Sequence, residues 1–251
     1  MVKDRNNNNV DPKEIVFPIL KNEDNGNVKM IGTGFFITKF GIFLTAKHVL
    51  EDVLDKKGRP KAGITIIQFK ENFTFYYRPV KAFVLHPDAD VAVGICHNMS
   101  HRVTGEPLYN KIAPLSLYLP LTNEHVYTFA YPGTKVKKTA ITNVTFNAKF
   151  YAGRIEEYHP DGRDKILLPF PCYRTSIVLH GGSSGGPVFC QNGKVFGINS
   201  TGFDGSDNIS YVSRIHDTLG LKIRNVVMPN ETEPRNIALT DLIEINQISI
   251  N

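Results

Sequence analysis

From "EIVFPIL" to about residue 215, short runs rich in Val, Ile, Phe, Tyr and Thr are separated by the turn signals "NEDNGN", "KFG", "DKKGRP", "YPGT" and "HPDGRD". Runs of this kind include "GTGFFIT", "GIFLTA", "AGITIIQF", "TFYYRPVKAFVL", "DVAVGI", "HVYTFAY", "TAITNVTFNAKFYAGRI", "KILLPF", "RTSIVL", "GPVFC", "KVFGINS" and "NISYVSRI". Their residue types suit half-buried strands, and the Gly, Pro, Asn and Asp clusters between them suit turns. Only "AKHVLEDVL" and "ALTDLIEINQIS" carry apolar residues at roughly helical spacing. The pattern predicts an all-β fold of about a dozen strands with a short C-terminal helix. Proline-bearing "NKIAPLSLYLPLTNE" has the character of a crossover between two halves. The expected organisation is a mobile tail over 1–13, a main domain over 14–219 and an extension over 220–251. Within the main domain the halves are 14–105 and 123–219, joined by a crossover over 106–122. The extension is expected to cap the second half with a helix, the alternative being an exposed amphipathic helix that contacts another subunit or domain.

Composition narrows the partners. The 251 residues are 41% hydrophobic and 21% charged, a globular balance and not a disordered one. A net charge of +5 is compatible with weak attraction to polyanions. The compact basic cluster "KVKK", Lys135 to Lys138, reads as a solvated loop, so nucleic acid is not an expected partner. No apolar run approaches the length of a membrane span, and the start, "MVKDRNNNNVDPKE", has no secretory core. Three widely spaced cysteines, Cys96, Cys172 and Cys190, argue against a disulfide framework and favour a reducing, cytoplasmic setting. A secreted form with its signal removed would read the same way. "CHNMSH" lacks a fourth ligand and finger spacing, so no metal or other cofactor is expected. The sequons at Asn72 and Asn143 would matter in a secreted protein, but an asparagine-rich chain generates such triplets by chance and their use is not expected.

Serine nucleophiles need a base, a carboxylate to orient it and backbone donors for the oxyanion. "GIFLTAKHVL" presents His48 after a strand, "HPDADVAV" offers Asp88 and Asp90 before one, and "HGGSSGGPVFC" carries Ser183 and Ser184. Each alone has an ordinary structural explanation: an exposed histidine, turn aspartates, a glycine-rich loop. Their chain order, His, Asp, Ser, is one of the known orders of the triad.

With "TAKHV", "DVAV", "GGSSGGPV" and "VFGINSTG" in that order, the chain resembles the trypsin-like (chymotrypsin-fold) serine proteases over roughly residues 28 to 215. Its unpaired cysteines bring it closer to bacterial high-temperature-requirement proteases and other cytosolic or viral relatives than to secreted digestive enzymes. The resemblance implies two six-stranded antiparallel β-barrels and a serine endopeptidase acting on protein or peptide substrates. It implies His48 as base, Asp90 as its orienting carboxylate and Ser184 as nucleophile, forming an acyl-enzyme. The backbone N–H groups of Gly182 and Ser184 become the oxyanion donors. Substrate contacts fall to Ser176, Val178, His180, Ser200, Thr201 and Gly202, with a small or apolar side chain preferred because no acid stands where a basic preference would need one. A catalytically silent binding or scaffold protein of the same fold is the alternative. The zymogen-type amino terminus is missing, and Ser183 replaces the acid it would pair with. Activity is therefore either built in or dependent on an activating protein or fused domain that orders the oxyanion loop.

Overall fold

The predicted alternation folds into two closed barrels of six antiparallel strands each, seen in a computed structural model. It describes all residues except 1, 5, 7, 24–26, 71–73, 102, 139–141, 203–208, 228–230 and 251, and only the backbone of the remaining residues in 136–144. The Asn72 sequon lies outside the described residues.

The first barrel comprises β1 (Val16–Asn22), β2 (Val28–Phe36), β3 (Ile42–Thr45), β4 (Ile64–Phe69), β5 (Phe75–Leu85) and β6 (Ala92–Cys96). They are ordered β1-β2-β3-β6-β5-β4, and β1 pairs with β4 to close the ring. A small hairpin, β7 (Met99–Ser100) and β8 (Pro107–Leu108), follows. The next strands are β9 (His125–Ala130), β10 (Lys135–Lys138), β11 (Thr142–Thr145), β12 (Lys149–His159), β13 (Cys172–Thr175), β14 (Pro187–Cys190), β15 (Val195–Gly202) and β16 (Ser210–Arg214). Six of them close as β12-β13-β16-β15-β14-β9, while β10 and β11 form a separate hairpin. Closure removes the unpaired edges that would otherwise template aggregation.

Every residue of β3 ("IFLT") and β14 ("PVFC") is buried. Inside the first barrel the Phe17 ring lies 4.5 Å from Phe36 and 5.4 Å from Phe43. Between the barrels, Phe69 stacks on Tyr131 at 5.9 Å, and the Tyr131 hydroxyl donates to the Val16 carbonyl at 3.1 Å. The 106–122 segment joins them: Ala113 N–H reaches the Phe36 carbonyl at 2.9 Å, and Val195 N–H reaches Pro114 at 2.9 Å.

Several local expectations change. "KILLPF" is a loop, not a strand, because Asp164 Oδ1 accepts the N–H groups of Ile166 and Leu167 (2.8 and 2.6 Å) and turns the chain. Lys135–Lys138, read as a loop, is strand β10, its backbone paired with Thr142–Thr145. The extension holds more than a helix: β17 (Lys222–Val226) and β18 (Arg235–Ala238) form a hairpin before α2 (Leu239–Glu244). Its apolar residues Ile223, Ile237, Leu239, Leu242 and Ile248 join the main core, and β17 packs against β5 of the first barrel, so the expected cap on the second half instead faces the first. At the other end Val2 is buried, and its carbonyl accepts from Val10 N–H at 3.2 Å.

Candidate active site

β3 pairs with β6, placing Thr45 beside Ala92. The one-turn helix α1 (Lys47–Glu51) starts just after β3, and Asp90 stands just before β6, so two neighbouring strand ends deliver His48 and Asp90 to one place. His48 Nδ1 lies 2.9 and 3.0 Å from the two Asp90 carboxylate oxygens, and the His48 backbone N–H donates to Oδ1 at 3.0 Å. Ser200 Oγ, buried on β15 of the other barrel, donates to Asp90 Oδ2. Asp88 is held elsewhere: its N–H and that of Ala89 donate to His86 Nδ1 at 3.1 and 2.8 Å, making the turn that precedes Asp90.

These contacts fix the electrostatics. Burial would lower the His48 pKa, but the hydrogen bond and charge of Asp90 outweigh it and hold the imidazole above its ordinary 6.5. Burial would raise the Asp90 pKa, yet the hydrogen bond and charge of His48, with the donations from Ser200 and the His48 N–H, hold it below the usual value. With Nδ1–H donating to a carboxylate, Nε2 is the nitrogen left to accept a proton.

The serine loop connects β13 to β14. Gly182 has φ +96°, and a Cβ there would stand 2.8 Å from the Tyr131 carbonyl, so the position requires glycine. The Gly181 carbonyl accepts from Gly133 N–H at 2.9 Å. Because the peptide is planar and trans, fixing that carbonyl turns the Gly182 N–H the opposite way. Ser183 N–H donates to the His180 carbonyl at 3.0 Å, whereas the N–H groups of Gly182 and Ser184 have no acceptor among the described residues. Ser183 is fully buried and its hydroxyl has no partner there; Ser184 is half-buried.

The first barrel grips this loop. Thr33 Oγ donates to the Gly182 carbonyl at 2.7 Å and accepts from Tyr131 N–H at 3.2 Å, while Thr33 N–H donates to the Ser184 carbonyl at 2.8 Å. Thr45 Oγ bonds the Thr33 carbonyl at 2.7 Å. Gly185, at φ +85°, passes so close that a Cβ would sit 2.1 Å from Thr45 Oγ. A Cβ on Gly32 would meet both the Val49 side chain at 2.6 Å and the Ser184 carbonyl at 3.0 Å. The β2 backbone is thus wedged between helix α1, which carries His48, and the loop that carries Ser184.

Asn199 completes the support. Its N–H and carbonyl pair with Gly186 and Gly185 at 2.9 and 2.7 Å, and its Nδ2 donates to Thr128 Oγ at 2.8 Å. Nothing local in the sequence marks Thr33 or Asn199 as a loop support. "GTGFF" reads as any strand would, and only the barrel closure reveals what Thr33 touches.

Among the residues expected to meet substrate, His180 and Val178 are exposed. The His180 ring lies 6.2 Å from that of Tyr151. Ser176 Oγ accepts from Arg154 N–H at 2.9 Å. The β15–β16 register breaks between Asn199 and Gly202, lifting Ser200 and Thr201 out of the ladder. The Ser200 side chain faces Asp90, which leaves its backbone for any substrate contact. Cys96, Cys172 and Cys190 are all buried thiols; burial pushes Cys96 and Cys190 up to about 12, so neither offers a nucleophile. Among the described residues no three His, Cys, Asp or Glu side chains converge to hold a metal, and no helix is long and apolar enough to cross a membrane.

Comparison with known proteins agrees with this architecture. The Trypsin-like peptidase domain family matches residues 32–198. No curated protein matches the chain. Among solved structures, the chain is similar to Deg5, with 18% identity and a TM-score of 0.59 over 81% of this chain and 85% of that one. It is also similar to the active form of the Rv3671c protease from M. tuberculosis, with 19% identity and a TM-score of 0.58 over 83% and 79% of the two chains. The chain belongs to the trypsin-like peptidase domain family.

Proposed function

We propose that the protein is a serine endopeptidase working through His48, Asp90 and Ser184. The observation that carries this reading is His48 Nδ1 held against both oxygens of Asp90, 2.9 and 3.0 Å away, at the barrel junction that also receives the Ser184 loop. Nε2 removes the Ser184 hydroxyl proton as Oγ attacks a peptide carbonyl, and the imidazolium formed is stabilised by Asp90. The Gly182 and Ser184 N–H groups receive the oxyanion. His48 then protonates the leaving amine, and water, activated by the same nitrogen, releases the acyl group.

The Gly133 to Gly181 hydrogen bond favours an oxyanion loop ordered without an activating partner. Exposed Val178 beside the loop supports preference for a small or apolar side chain at the cleaved bond. A fluorophosphonate probe should label the wild type at Ser184 and leave Ser184→Ala unlabelled. Cleavage of a peptide library should fall by up to about a million-fold in that variant. A folded wild type that reacts with no serine-directed probe would instead support the silent scaffold of the same fold.

A further inference from the structure

A second site lies outside the barrel junction. A cavity of about 930 Å³ separates the first barrel from the C-terminal extension, with β3, β5 and β6 on one side and β17 and α2 on the other. Its described lining holds the cations Lys39, Arg78, Lys81 and Arg224, and no aspartate or glutamate. Such one-signed lining concentrates anions.

Arg78 gives the site its built character. It is 3% exposed, and its guanidinium donates to three neutral acceptors: Gln68 Oε1 at 2.7 Å, Asn110 Oδ1 at 2.8 Å and the His97 carbonyl at 2.8 Å. Its Nε is buried with no partner, and no carboxylate pairs with it among the described residues. Neutral acceptors orient a buried cation but do not neutralise it, and a buried charge without a counter-ion is costly. A purely structural arginine would account for the three hydrogen bonds. It would not account for further cations gathered round the same cavity without an acid.

The remaining walls define the ligand. Ile42, Ile95, Leu108 and Leu242 are apolar, and Phe40 and Tyr109 form an edge-to-face pair at 5.6 Å with Lys39 Nζ 5.9 Å from the Tyr109 ring. A single carboxylate would compensate one cation and leave the rest; inorganic phosphate would leave the apolar walls empty. We propose that this cavity binds an organic polyphosphate with a planar, apolar body, the chemistry of a nucleoside triphosphate. The strands that reach the triad also reach the cavity: Cys96 on its wall is six positions along the chain from Asp90, roughly 20 Å of extended chain. The ligand therefore sits well away from the cleft, and the assignment does not rest on the peptidase reading.

The test uses the full chain carrying Ser184→Ala, so that autolysis plays no part. It is titrated calorimetrically with ATP, with adenosine and with inorganic tripolyphosphate. The expected result is one ATP per chain with Kd below about 100 μM, and roughly tenfold or more weaker binding of each partial ligand. Lys81→Glu and Arg224→Glu, both at exposed positions, should each weaken ATP binding about tenfold or more while leaving the melting temperature of the free protein unchanged. ATP binding that is not saturable below about 1 mM overturns the proposal. So does ATP binding indifferent to both variants, or tripolyphosphate binding as tightly as ATP.

Discussion

The two barrels supply the candidate active site by different physical means. The first delivers His48 and Asp90 from the ends of two paired strands, where the ladder between Thr45 and Ala92 fixes their spacing. The second delivers Ser184 on a loop of glycines, two of them at positive φ, which has little rigidity of its own. Its order comes from outside: Thr33 and Thr45 of the first barrel, and Asn199 and Gly133 of the second. His48 and Asp90 are thus positioned by secondary structure, and Ser184 with its neighbouring N–H groups by a network of single hydrogen bonds. The second arrangement is the more easily disturbed.

After loss of Ser184 itself, the largest effect is expected at the rigid half. Asp90→Asn keeps the size of the side chain but can present an amide N–H to His48 Nδ1, forcing the proton onto Nε2, the nitrogen proposed as base. The expected fall in kcat is about 10⁴-fold, the loss known for this substitution in such triads. Steady-state kinetics checks it, and a loss below about tenfold would mean that the carboxylate contact is only structural. At the loop, Gly182→Ala should lower kcat by about 10² to 10³-fold, the worth of one oxyanion donor, because a Cβ at φ +96° beside the Tyr131 carbonyl forces the peptide to turn. Substrate KM should change much less. Unaltered kcat in a folded Gly182→Ala protein would remove Gly182 from the oxyanion role.

The same contrast explains what the sequence could reveal. Strand-forming runs, His48, Asp90 and the "GGSSGGPV" loop are local signals; the runs point to an all-β fold, and the double barrel is what the resemblance carried by those motifs implies. Thr33 was illegible because its partner Gly182 is 149 residues away and threonine is ordinary in a strand. "KILLPF" misled because its composition suits a strand, while one carboxylate, Asp164, captures two backbone N–H groups and bends it. The β17–β18 hairpin escaped notice because five- and four-residue strands give little periodicity to read. The cavity cations were equally hidden: Lys39, Arg78 and Arg224 come from distant segments that only packing brings together.

The pH profile sharpens the comparison further. A raised His48 pKa keeps the imidazole protonated to higher pH, so kcat/KM should fall on acidification through a midpoint above 6.5, tenfold for each further pH unit. Asp90→Asn removes the charge responsible, and its residual activity should titrate with a lower midpoint. Stability runs the other way for His48: its contribution is present below the unfolded pKa and fades as pH rises through the folded one. Asp90, with a lowered pKa, contributes above its unfolded value and loses that contribution as pH falls through the folded one. Rate and thermal unfolding measured over one pH series should therefore separate the catalytic titration from the structural one; a wild-type midpoint below 6.5 contradicts the Asp90 coupling.

The smallest expected effect isolates the grip of one barrel on the other. Thr33→Val preserves shape but leaves the Gly182 carbonyl and the Tyr131 N–H without their hydroxyl partner. Each buried group left unpaired costs about 1–3 kcal/mol, so the melting temperature should drop. If the hydroxyl holds the oxyanion loop as well as the fold, kcat should also fall roughly tenfold, for one misaligned donor contributes less than one lost. Thr33→Ser, which restores the hydroxyl with one methyl fewer, should recover kcat more fully than stability. Equal recovery of both in the serine variant would reduce Thr33 to a core residue, and the Ser184 loop would then owe its order to Asn199 and Gly133 within its own barrel.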